Sequence, residues 1–179
     1  ESGIGDIAVA AEYYIEREST ILKAQINYKM PTGDEEKGLG SGSNDVGFGV
    51  TGRKRVGQFG FNSTVGYIIR GEAEINNIDI ESGNIVSLLA GTEYRLQPTI
   101  WLGVNLAYVR EGTSDHSGFE ENGLQTLDVI PNVTYQFNEK INVTADLIYP
   151  LQESEVKGDF SMPEPDREIS ISVGFNSEF

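Results

Sequence analysis

Four bases, Lys23, Arg53, Arg55 and Arg95, and three acids, Glu12, Glu16 and Glu93, occupy the polar positions of segments that alternate apolar and polar residues. Gln25, Arg70, Asp128 and Asp146 hold positions of the same kind. Charges that share one face of a sheet can line a water-filled path and select solutes. They can equally pair with one another and fill a narrow interior. The sequence leaves both readings open.

Other chemistry-bearing groups are less suggestive. Acids crowd the connecting segments: Asp34, Glu35 and Glu36; Glu72, Glu74, Asp79 and Glu81; Asp115, Glu120 and Glu121; then a run from Glu153 to Glu168. Asp34-Glu35-Glu36 lacks the alternating ligand spacing of a calcium loop, so these read as solvated loops and no metal is expected. Ser114, Asp115 and His116 are neighbours in one loop, whereas a hydrolytic triad needs three separately positioned groups. Gly38–Gly42 is Gly-rich, but no Lys-Ser/Thr pair follows it and no helix opens, so it is not a phosphate loop. No catalytic residue and no cofactor are expected, and the chain is not read as an enzyme.

Composition narrows the field further. The 179 residues contain no Cys and one His, which excludes disulfides, thiol catalysis and thiolate zinc sites. A net charge of -15 argues against nucleic acid as a partner. No apolar run is long enough for a membrane helix.

The elements that carry these residues are strands. Leu147 and Val143 alternate with Asp146 and Asn142, Val104 with Asn105, Leu88 with Ser87, and Ile169, Ile171, Val173 and Phe175 with Ser170, Ser172 and Gly174. This period of two marks a strand with one apolar face. Nine such segments follow one another, starting near Ile7, Leu22, Val46, Phe59, Val86, Ile100, Leu127, Ile141 and Ile169. At about ten residues they suit strands that cross a bilayer at a tilt, and exceed the ~5–6 residues usual in soluble sheets. Connections alternate as well. Short ones lie near Glu18–Thr20, Val56–Gln58, Gln97–Thr99 and Asn138–Lys140. Long ones cover about Thr32–Asn44, Gly71–Gly83, Glu111–Gly123 and Gln152–Arg167. Short turns at one rim and long loops at the other suit an outer-membrane barrel.

Aromatic residues agree. Tyr28, Tyr67, Tyr108 and Tyr149 precede long connections, and Tyr13, Tyr94 and Tyr135 precede short ones, all on the apolar face. With the terminal Phe179 they are expected at the two membrane interfaces. The fold expected is all-β: an antiparallel up-and-down transmembrane β-barrel in a single domain over 1–179. A closed bacterial barrel has an even strand count. Nine strands, the last running toward the short-turn rim, therefore predict one or three strands before Glu1 and a barrel of ten or twelve.

Gly3-Ile4-Gly5-Asp6, Lys29-Met30-Pro31-Thr32-Gly33-Asp34 and Gly38-Leu39-Gly40-Ser41-Gly42-Ser43-Asn44-Asp45 carry a family resemblance. They are similar to the motifs of an outer-membrane family of transporters assigned to the MetA pathway of phenol degradation. The resemblance rests on motifs over about 1–56 and on strand pattern beyond. It implies a porin-like protein of a Gram-negative outer membrane that passes small hydrophobic or aromatic solutes. The alternative is a structural or adhesive barrel with a plugged lumen and partner-binding loops. Expected partners are the bilayer and its lipopolysaccharide, a small-molecule solute, and the barrel assembly machinery. The last would read the C-terminal strand through Ile171, Val173, Phe175 and Phe179, although Ser177 departs from that signal.

Overall fold

The computed structural model describes residues 3–34, 37–75, 78–138, 141–156 and 168–177. Its strands are β1 (Ile7–Arg17), β2 (Thr20–Met30), β3 (Asp45–Val56), β4 (Phe59–Ile69), β5 (Glu72–Ile75), β6 (Ile78–Glu81), β7 (Ile85–Gln97), β8 (Ile100–Glu111), β9 (Ser114–His116), β10 (Phe119–Glu121), β11 (Gly123–Gln136), β12 (Ile141–Val156) and β13 (Ser170–Ser177). Nine of them form one antiparallel sheet in the order β1-β2-β3-β4-β7-β8-β11-β12-β13. These are the nine segments that the alternation picks out. Among the described residues the sheet is not closed, since β1 and β13 are each paired on one side. Ile7 opposes Met30 and Ser177 opposes Ile141, so both edge strands run from the long-loop rim to the short-turn rim. Antiparallel closure between them requires an odd number of intervening strands.

Burial is inverted relative to a soluble protein. Among the described residues only Ala73 and Trp101 are apolar and buried. Leu88, Val104, Leu106, Leu147, Val65 and Phe48 all stand exposed on one face. A sheet that leaves its apolar face bare has found no core to bury it in, and the solvent that suits such a face is lipid. The opposite face carries Asn105, Asn142, Asp146 and Glu93, as the alternation requires.

Glycine has a distinct use on this polar face. A Cβ at Gly47 would strike the Asn27 amide, at Gly60 the Glu93 side chain, at Gly91 the amides of Asn105 and Asn62, and at Gly103 that of Asn132. Long polar side chains lie flat over glycines of the adjacent strand. This close approach is one reason for a glycine count of 21.

The long connections differ from expectation. Gly71–Gly83 and Glu111–Gly123 are not open loops. Each forms a hairpin, β5–β6 and β9–β10, and the two join through β6 and β9 into a second, four-stranded sheet. The β9–β10 turn is built by Ser117 and Gly118, both at positive φ (55° and 91°), the geometry that a two-residue hairpin favours. Gly118 N–H donates to Asp115 Oδ1 at 2.6 Å. Register aligns Glu72, Glu81, Asp115 and Glu120 in one row, with Glu74 opposite Asp79. Glu72, Glu74, Asp79, Glu81, Asp115 and Glu120, read as scattered loop charges, thus share one face of a small sheet, and Glu121 takes the other.

Candidate functional site

Three guanidinium groups converge at the short-turn end of the polar face. Arg53 and Arg55 come from β3 and Arg95 from β7. Arg53 Nη2 lies 3.1 Å from Glu93 Oε1, and Arg55 Nη2 lies 3.5 Å from the same oxygen. Arg55 also stacks on Trp101 of β8, 4.4 Å from the ring centroid, and Arg95 sits 5.3 Å from that centroid. Arg95 donates to the Pro98 carbonyl at 3.2 Å. Register explains the convergence. Arg55 opposes Gly60, and Gly60 opposes Glu93, so a missing side chain on β4 opens the way from β3 to β7 and β8. Trp101 opposes Arg95 on one side and Thr134 on the other.

Two adjoining recesses, of about 440 and 370 Å³, share Arg53, Arg55 and Glu93 on their walls. Glu16 and Ile21 border the first, and Trp101, Thr134, Gln136, Asn142 and Thr144 border the second. Thr134 and Thr144 hydroxyls lie 2.8 Å apart and tie β11 to β12 beneath that recess. Alternation along β8 puts Trp101 on the polar face with Gly103 and Asn105. Its one legible signal is a large aromatic on an otherwise polar strand face.

The remaining nominated residues divide. Lys23 pairs with Glu12 at 3.0 Å, apart from the arginines. Tyr14 also donates to Glu12. Gln25 lies over Gly49 of β3. Asp146 borders a further recess with Asn62, Asn105 and Asn132. Asp128 is 7 % exposed, among the few buried polar side chains of the described residues. Arg70 stands just beyond β4 at the long-loop rim, where it pairs with Glu111. Tyr13, Tyr28, Tyr67, Tyr94, Tyr135 and Tyr149 are exposed, and Tyr108 is half-buried. Tyr28 donates to Asn44 Oδ1 at 2.7 Å, and Tyr94 to Gln58 Oε1 at 2.8 Å. Phe179 lies outside the described residues.

The motif residues meet at the long-loop rim. Asp6 accepts hydrogen bonds from the Ser41 N–H and hydroxyl, both at 2.8 Å, and from the Gly33 N–H at 3.1 Å. These bonds, those to Ser41 first, hold the Asp6 carboxyl below the usual carboxylate range. Thr32 Oγ1 accepts from Ile7 N–H at 2.9 Å and donates to the Gly5 carbonyl. Lys29 Nζ bridges Ser41 Oγ at 2.6 Å and Asp45 Oδ2 at 2.5 Å. A Cβ at Gly40 would lie 2.9 Å from Gly33 Cα, so the knot needs glycine for its packing. The motifs fasten the segment before β1 to the loop between β2 and β3.

His116 and Ser114 share one face of β9, and Glu121 opposes Ser114. His116 Nδ1 stands 3.7 Å from Glu121 Oε2, while Ser114 Oγ accepts from the Gly83 N–H at 3.0 Å. Among the described residues no His–Ser hydrogen bond forms.

Comparison with known proteins adds three findings. Residues 1–157 match the family described as "Putative MetA-pathway of phenol degradation". The fold is similar to an outer membrane channel from Pseudomonas putida F1, with a TM-score of 0.72 and 16 % identity over 98 % of this chain and 66 % of that one. It is also similar to OmpT, an outer membrane protein of Vibrio cholerae, with a TM-score of 0.50 and 15 % identity over 94 % of this chain and 63 % of that one. The chain thus spans just under two thirds of the length of each structure. Among curated proteins no sequence matches. The open sheet is a large part of an outer-membrane β-barrel, and its bare apolar face is the surface that such a barrel turns to lipid.

Proposed function

Because the chain belongs to the MetA-pathway family of phenol degradation, we propose that it forms a passive outer-membrane channel for small hydrophobic or aromatic solutes. One observation carries this reading: the polar face leaves recesses between its side chains instead of packing solid. Arg53, Arg55, Glu93 and Asp146, which border the recesses, line the proposed path together with Arg95, Lys23 and Gln25 of the same polar face, and the seven tyrosines form girdles where the wall meets the headgroups. The family description supports the solute class, and the similarity in fold to a Pseudomonas channel supports a through-path.

Transport is tested with the full-length protein in vesicles whose outer leaflet is lipopolysaccharide, which slows unaided passage of apolar solutes. Protein-dependent uptake of benzyl alcohol is the expected result. Uptake equal to that of protein-free vesicles would remove the channel reading and favour a structural barrel.

A further inference from the structure

Charge at the short-turn end of the polar face is only partly paired. The sequence offers Glu12, Glu16 and Glu93 as partners for the bases there. Glu12 is taken by Lys23. Glu16 and Glu18 border the same recess as Arg53 and Arg55 but form no ion pair within the described residues. Glu93 alone reaches Arg53 and Arg55, and Arg95 has no carboxylate partner among the described residues. Two guanidinium groups thus share one carboxylate and the third pairs with none among the described residues.

The arginines are also held ready. Trp101 is 7 % exposed and offers its ring to both Arg55 and Arg95, which limits their motion without neutralising their charge. Arg53 and Arg55 remain about half exposed, at 52 % and 49 %, so part of each guanidinium fork faces open space. A planar fork of N–H donors matches a carboxylate in two parallel bonds. Beside these charges Ile21 presents an apolar side chain, 37 % exposed, to the same recess. A cationic wall next to an apolar patch fits a solute with an anionic head and an apolar body.

We propose that Arg53, Arg55 and Arg95 form a binding station for small organic carboxylates at the short-turn end of the channel, with Glu93 as the internal competitor for the arginines. The station deepens the channel reading by naming the class of solute that pauses there. It rests on that reading for its physiological role.

Trp101 is the single tryptophan of these 179 residues and touches the station, so a fluorescence change that Trp101→Phe abolishes reports occupancy. Benzoate is titrated into the folded full-length protein in detergent, with benzyl alcohol as the uncharged probe of similar shape. A saturable change with benzoate and none with benzyl alcohol is expected. Arg53→Gln/Arg55→Gln should weaken benzoate by about tenfold or more, since hydrogen bonds to a charged group are lost. Glu93→Gln should tighten it, because the competing carboxylate is gone. This opposite sign keeps the test decisive if the double variant folds poorly. Equal responses to both probes, no response to benzoate, or unchanged affinity in Glu93→Gln would overturn the station. Solute uptake without a benzoate response would remove the station and leave the channel. A benzoate response without uptake would leave the station and remove the channel.

Discussion

Trp101 and Asp6 show how single residues fix the two ends of the wall. Trp101 is a buried aromatic on a polar face, and two arginines lean on it. Trp101→Ala should destabilise the barrel by about 3 kcal/mol or more, as truncation of a buried aromatic does, whereas Trp101→Phe should cost less. Urea unfolding into vesicles separates the two. Asp6 acts through its charge. Its carboxyl is held below the usual range by hydrogen bonds from Ser41 and Gly33, so the knot is strengthened while Asp6 is ionised in the folded state. A group whose folded pKa is lowered contributes fully above its unfolded pKa and loses that contribution as pH falls through the folded value. Amide exchange at Ser41 and Gly33 should therefore be slow at neutral pH and speed up, relative to the β2–β3 amides, at pH values below the ordinary carboxylate range. Asp6→Ala should abolish this difference at every pH. A pH-independent wild type would show that Asp6 does not hold the knot.

At the scale of elements, the four-stranded sheet stands against its own charges. Glu81 has Glu72 on one side and Asp115 on the other, and Glu120 extends the row. Like charges directly opposed on a sheet destabilise it by roughly 0.2–1 kcal/mol per pair. Glu81→Gln removes two such contacts at once. It should slow amide exchange in β6 and β9, and added salt should shrink the gap between variant and wild type, because screening weakens exposed charge repulsion. No change at low salt would mean that the row does not repel. The sheet persists because its two hairpins are tied to each other: Ser117 N–H donates to the Asp79 carbonyl at 2.9 Å, and Asp79 N–H to Ser117 Oγ at 3.1 Å.

The whole molecule is decided by its surroundings. Leu147 and Asp146 are neighbours in sequence, yet one faces lipid and the other faces the recesses near Asn105 and Asn132. Leu147→Arg should cost about 2–4 kcal/mol in a bilayer if the residue lies near the midplane, and Asp146→Asn should cost far less. Unfolding titrations in lipid vesicles measure both. Comparable losses at the two positions would contradict the assignment of faces. Among the described residues the acidic sheet stands at the long-loop rim and the arginine cluster at the short-turn rim, so the acidic and basic clusters lie at opposite rims.

Strand number, direction and facing were legible in the sequence, because period-two alternation is a local property that each strand imposes on its own residues. Long strands and sorted loop lengths added the membrane reading, and short motifs the family. The sites were less legible. Arg53, Arg55, Glu93 and Arg95 could be placed at one rim, but alternation gives a face and a depth, not a partner. Only pairing of β1 with β2 revealed that Glu12 serves Lys23, and only register across β3, β4, β7 and β8 that Gly60 clears a path and that Trp101 gathers two arginines. The small sheet was hidden for the same reason: its pairing of β6 with β9 joins segments more than thirty residues apart, which no local pattern encodes. The motif glycines and Asp6 were visible as a signature, but their role is a contact between the chain before β1 and the loop after β2. What a strand does to its own residues is written along the chain. What one strand does to another depends on which atoms the folded sheet brings within reach.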